Sequence, residues 1–138
     1  MGPIGAGKTT FSKTLENDVS VRISQDEMGR KRHKDLFYRA LDQGVPRIII
    51  DRMNFNKEQR KRYITPARQQ GYCVTVFEFP FPDLSVRTKF HSRAAKRKDH
   101  PTIEEGDHET VARALDMYCM HYEKPTEDEY DNYNKVEG

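Results

Sequence analysis

The sequence predicts an α/β fold with a parallel sheet, and three observations predict it. Short β-prone or apolar stretches alternate with helix-patterned stretches along the chain. A glycine-rich run at residues 2–9 leads directly into a helical pattern. An apolar stretch, Ile48-Ile49-Ile50, ends abruptly in Asp51, as a buried strand does on reaching the rim of its sheet.

Each element has its own warrant. After the glycine-rich run, Phe11 and Leu15 stand four apart, the spacing of a helix that packs one face on a sheet. Residues 19–24 alternate and form a short strand that ends at Gln25-Asp26-Glu27. Residues 32–43 place Leu36, Phe37, Ala40 and Leu41 on one helical face, and Gly44 stops that helix. Residues 46–50 form a second, buried strand. A basic helix follows over 57–70, with Pro66 expected to kink or break it, and with Asn56 placed to cap it ahead of Glu58 and Gln59. Residues 72–79 make a third strand. Helices are expected over 84–95 and 107–122, with His100-Pro101 interrupting the chain between them. The end, from Pro125, reads as polar and acidic.

With 138 residues, there is chain for one domain, 1–138. Hydrophobic residues make up 35% and charged residues 33%, which implies a modest core under a heavily charged surface. No apolar run approaches the roughly 18 residues of a membrane span, and no signal-peptide pattern opens the chain. Cys73 and Cys119 stand in no metal or redox spacing and read as free, buried thiols of a reducing compartment. A cytoplasmic location is expected, or a nuclear one in a eukaryote. Residues 1–100 hold 21 Lys+Arg and 11 Asp+Glu, a net +10, and residues 101–138 hold 3 and 11, a net −8. A basic body with an acidic end suits a polyanionic partner, and it equally suits ordinary solvated helix faces.

Residues 2–9 read Gly2-Pro3-Ile4-Gly5-Ala6-Gly7-Lys8-Thr9, a full G-x-x-x-x-G-K-[ST] phosphate-binding loop. The glycines let successive backbone N–H groups turn toward phosphate oxygens. The loop places Gly5, Ala6, Gly7, Lys8, Thr9 and Thr10 against the phosphates of a nucleoside triphosphate. Lys8 reaches the β- and γ-phosphates, the Thr9 hydroxyl ligates Mg²⁺, and the N-terminus of the following helix adds its dipole. Only Met1 precedes Gly2, so the strand that ordinarily carries such a loop is expected to lie upstream of this sequence.

Three further groups are candidates. Asp26 follows the first strand and can take a proton from an acceptor hydroxyl, or can cap the segment after it. Asp51 ends the second strand and can support Mg²⁺ through a water, or can serve as a turn cap. Arg52 and Asn54 follow it. Arg87, Arg93, Arg97 and His100 form a third group; Arg93 and Arg97 share a helix face and can meet the charge of a transferring phosphoryl group from a lid, or can be a solvated basic surface.

Taken together, these motifs resemble the 5′-hydroxyl polynucleotide kinases over nearly the whole chain. Ser24-Gln25-Asp26-Glu27 resembles that family's strand-end segment with the general-base aspartate. Asp51-Arg52-Met53-Asn54-Phe55-Asn56 resembles its Asp-x-x-Asn turn, and Arg93 through Ile103 its lid. His121 through Glu129 resembles a closing segment. The resemblance implies a P-loop kinase-like three-layer sandwich, helices on both faces of a parallel sheet, with an arginine-bearing lid. It implies ATP and Mg²⁺ on Lys8 and Thr9, Asp26 as base, Arg93 and Arg97 at the transition state, and Asp51 with Arg52 and Asn54 on the acceptor side. The acceptor implied is an RNA or DNA end with a free 5′-hydroxyl. The phage-type family has an acceptor arginine three residues after its base; here Gly29 stands there, and Arg30 one residue further takes the substrate-binding assignment. Two other functions share these motifs: a kinase for a small-molecule hydroxyl, such as a sugar, nucleoside or antibiotic, and a nucleotide-binding module without catalysis.

Overall fold

The computed structural model describes residues 1–96 and 106–137, apart from the side chain of Asp26. The chain forms two compact units, Gly7–Arg52 and the remainder, Met1–Ala6 with Met53–Gly138.

The Gly7–Arg52 unit holds α1 (Lys8–Thr14), β1 (Ser20–Ile23), α2 (Gln25–Met28), α3 (Arg30–Asp42) and β2 (Arg47–Ile50). β1 and β2 pair in parallel from Ser20↔Arg47 to Ile23↔Ile50, and Asp51 N–H extends the ladder by donating to Ile23 O at 2.9 Å. A parallel pair needs a crossover, and α3 supplies it. Its periodic apolar face buries Phe37, Ala40 and Leu41, and Ile23 and Ile49 are buried on the strands. Gly44 at φ 65° follows the end of α3, a left-handed turn that favours glycine. The short α2 was not expected: Ser24, and not Asp26, is its N-cap residue, and Asp26 lies inside it.

α3 also buries His33, which is 1% exposed with Nδ1 3.3 Å from Gly29 O. Burial, and then the nearby positive Arg52, hold its imidazole below the ordinary histidine range. A base depressed in the folded state leaves stability unaffected above the unfolded value, near 6.5, and removes it as pH falls below that. Acidification from pH 7 to 5 should therefore lower the melting temperature, and His33→Gln should flatten the dependence. An unaltered slope in that variant would assign the acid sensitivity elsewhere.

The other unit holds α4 (Lys57–Gln69), β3 (Thr75–Glu78), α5 (Leu84–Lys96), α6 (His108–His121), a 3-10 turn (Glu127–Glu129) and β4 (Asn132–Lys135). Its core gathers Tyr63, Val76, Phe79, Phe90, Leu115 and Tyr118. Asn56 caps α4 as expected, its Oδ1 accepting from Gln59 N–H at 2.9 Å, while Gln59 Oε1 accepts from Phe55 N–H at 3.0 Å. Pro66, expected to kink or break the helix, is accommodated inside it. It deletes one N–H from the ladder, but buried Arg60 and Tyr63 anchor the preceding turn and Gln70 N–H still closes on Pro66 O. Cys73, expected buried, is exposed, since it falls in the connection ahead of β3 and not in the strand.

β4 is a strand where none was expected, paired in parallel with β3 from Thr75↔Asn132 to Glu78↔Lys135. Buried Glu78 accepts from Tyr122 Oη at 2.6 Å and from Tyr133 Oη on β4 at 2.8 Å. Burial and then Glu78 push the Tyr133 phenol up to about 12. On the opposite edge of β3, the Met1 amino group donates to Phe77 O at 2.6 Å and Met1 O accepts from Phe79 N–H at 3.0 Å. That is the parallel-ladder pattern, so the residue ahead of the glycine-rich loop lies in strand register beside β3.

Candidate functional site

The glycine-rich loop is built as its sequence demands. Gly5 has φ 76°, and a Cβ there would lie 2.0 Å from the Phe90 carbonyl oxygen of α5. Both the left-handed backbone and the close approach therefore select glycine. Gly2 is tight as well, with a virtual Cβ 2.7 Å from Phe79 Cβ. The loop turns back on itself through Ala6 N–H to Pro3 O at 3.4 Å.

Gly7, at φ 96°, is the N-cap residue of α1. No side chain caps that helix and no acidic residue lies in its first turn. Lys8 and Thr9 are half-buried and Thr10 is exposed. The helix is only seven residues long, so its dipole adds little. Among the described residues no group of three or more His, Cys, Asp or Glu stands together for a metal. Mg²⁺ on a nucleotide takes most of its ligands from phosphates and water, so a single hydroxyl such as that of Thr9 fits it.

The rim of the β1–β2 pair carries the acidic residues. Asp51 is buried, and its Oδ2 accepts from Ser12 Oγ of α1 at 3.1 Å and from the Arg22 guanidinium. Arg22 Nε donates to Ser12 Oγ at 2.9 Å and Nη1 to Glu27 Oε2 at 2.9 Å. The side chains of Arg22 and Asp51 are 7% and 4% exposed. Burial opposes the Arg22 charge, but Glu27 and Asp51 outweigh it and hold its guanidinium above the ordinary value. One arginine from the middle of β1 thus ties α1, α2 and the end of β2 together at the rim. Nothing in Ser20-Val21-Arg22-Ile23 beyond the cost of burying a charge pointed to this role, since the partners are distant in sequence. Asp26 follows β1 by three residues within α2, and Arg30 is the exposed first residue of α3. Arg52, half-buried, faces His33 electrostatically.

The remaining candidates belong to the other unit. Asn54 is the one non-glycine residue with positive φ (49°) among the described residues. Its carbonyl accepts from Arg60 at 2.9 Å, and its side-chain Oδ1 is buried without a hydrogen-bond partner. Arg60 in turn forms a buried pair with Glu129, 3.1 and 3.3 Å. Arg93 is exposed in the last turn of α5. Arg87 is instead tied to α6, donating to Asp116 at 2.5 Å. Arg97 and His100 lie outside the described residues.

Comparison with solved structures adds one finding. Kti12 of Chaetomium thermophilum, solved in complex with ADP-AlF3, aligns over 99% of this chain and 86% of its own with a TM-score of 0.66. The fold is P-loop kinase-like. Sequence identity is 15%, so the likeness is one of fold. No protein-family model matches the chain, and no curated protein matches it in sequence. The P-loop kinase fold accounts for the parallel pairing in both units and for the glycine-rich loop followed at once by a helix.

Proposed function

We propose that this P-loop chain is an ATP-dependent phosphotransferase that moves the γ-phosphate to the 5′-hydroxyl end of RNA or DNA. The observation that carries this reading is the glycine-rich loop, with Gly5 and Gly7 in the conformations a phosphate cradle requires and Lys8-Thr9 opening an uncapped helix. The ADP-AlF3 of the Kti12 complex supports a nucleotide ligand. The loop amides and Lys8 would hold the phosphates, and Thr9 would hold Mg²⁺, which supplies charge neutralisation when bound. Asp26 takes the proton of the attacking hydroxyl, Arg30 binds on the acceptor side, and Arg93 with Arg97 meets the charge of the transferring group. Asp51, whose Oδ2 accepts from Ser12 and Arg22, would support the magnesium through a water. The acceptor follows from the resemblance of the strand-end, Asp-x-x-Asn and lid segments, together with the basic body.

The test is transfer of labelled γ-phosphate from ATP·Mg²⁺ to a short oligonucleotide with a free 5′-hydroxyl, beside a 5′-phosphorylated control. Label on the free-hydroxyl strand alone is the expected result. Absence of label from a protein that binds ATP would overturn the nucleic-acid acceptor and turn the search to small-molecule hydroxyls.

A further inference from the structure

The first turn and a half of α3 is a concentration of positive charge. Arg30, Lys31, Arg32 and Lys34 fill four of five consecutive positions, and all are exposed. Among the described residues none of the four has a carboxylate within ion-pair distance. Other exposed basic residues are treated differently: Arg62 pairs with Glu58 at 3.5 Å and Arg113 with Glu109 at 3.2 Å, both one helical turn apart. Asp35 is the single acidic residue over 30–35, leaving that stretch at net +3. It stands four residues after Lys31, the less favourable order for a helical ion pair.

An aromatic side chain lies on the same face. Tyr38 follows Lys34 by four residues and Lys31 by seven, which brings the three into one stripe. It is 50% exposed, in a helix that buries Phe37 beside it. The topology sets where this stripe begins. Because β1 and β2 are parallel, α3 must start at the carboxyl ends of the strands and run back toward their amino ends. The basic turn is therefore at the rim that carries Asp51 and the Asp26 segment, and Tyr38 lies roughly 10 Å further along the helix at 1.5 Å per residue.

We infer that the outer face of α3 is a docking surface for single-stranded nucleic acid, a surface that extends the acceptor side of the proposed kinase and rests on that reading for its link to catalysis. Lys31 and Lys34, with Arg30, contact backbone phosphates, and Tyr38 stacks on an unpaired base. Cations alone would fit any polyanion. An exposed ring among them offers a face that an unpaired base covers, whereas a duplex or an acidic peptide has no free base to place there.

The experiment is fluorescence anisotropy with the full chain and a labelled 12-nucleotide strand blocked at both ends, so that it cannot accept phosphate. The expected result is salt-sensitive binding. The Lys31→Ala/Lys34→Ala double variant should reduce the slope of log K against log salt by about 1.4, two phosphate contacts at roughly 0.7 each on a single strand. Tyr38→Ala should weaken binding about 5- to 150-fold with the slope unchanged. ATP affinity and melting temperature serve as fold controls and should not move. Three outcomes overturn the proposal: no binding by the wild-type chain, wild-type binding by both variants, or a poly-glutamate peptide competing as well as the strand. The two readings fail separately. Blocked-strand binding through α3 without 5′-transfer keeps the surface and removes the kinase reading. Transfer with an unchanged oligonucleotide KM in both variants does the reverse.

Discussion

Asp26→Asn is expected to lower phosphoryl transfer by about 10²- to 10⁴-fold, the range by which a positioned general base accelerates a proton transfer, while nucleotide affinity is retained. The substitution is nearly isosteric and removes only the ability to take a proton. Asp26 lies within α2, whose backbone closes through Gly29 N–H to Gln25 O at 2.8 Å, and an amide at that position leaves the helix intact. An interaction made only in the transition state lowers kcat with little change in KM, so steady-state kinetics alongside an ATP titration checks the assignment. Retained turnover would remove Asp26 from the chemistry. Loss of ATP binding together with turnover would instead mark it as a structural residue of the strand-end rim.

Arg22→Ala should destabilise the Gly7–Arg52 unit by about 3–5 kcal/mol, as expected when one member of a buried ion pair is removed. Asp51, with its side chain 4% exposed, would then be a buried carboxylate with only Ser12 Oγ donating to its Oδ2 among the contacts described above. Glu27 would lose its guanidinium partner as well. Urea unfolding gives the answer directly, through a lower midpoint with an unchanged slope. The double variant Arg22→Met/Asp51→Leu should recover much of the loss, because it removes both charges and leaves neither unpaired. A loss below about 1 kcal/mol for Arg22→Ala would mean the pair behaves as a solvated surface bridge, which the described burial contradicts.

The candidate site divides between these two residues in what a reader of the sequence could see. Asp26 was visible because its position follows from chain order: a short alternating stretch, then a carboxylate, beside a glycine-rich loop. Arg22 was not visible. It sits mid-strand with no motif around it, and its partners are Ser12, Glu27 and Asp51, ten, five and 29 residues away. Asp51 was found, but its engagement with Arg22 and Ser12 was not, since chain order says which rim a residue reaches and nothing about what meets it there.

The same physics separates the strands. Ile48-Ile49-Ile50 declared a buried strand by composition alone. β4, Asn132-Tyr133-Asn134-Lys135, is mostly exposed and is poor in β-branched residues. It is a strand because the free edge of β3 offers it a ladder and Glu78 receives its Tyr133 hydroxyl. Pro66 shows the converse, a local rule outweighed by the burial of Arg60 and Tyr63 in the turn before it.

By itself, then, the sequence determined the α/β class, the glycine-rich loop, the order of the helices other than the short α2 and of the first three strands, and the Asn56 cap. These rest on periodicity, on glycine's access to positive φ and on capping, all of which act within about one turn of the chain. Tertiary structure alone decided that Arg22 holds Asp51, that β4 pairs with β3, that Gly5 must clear the Phe90 carbonyl, and that the basic start of α3 stands without ion-pair partners among the described residues. Each of these depends on which groups the fold brings near one another, or keeps apart, and burial sets its energy.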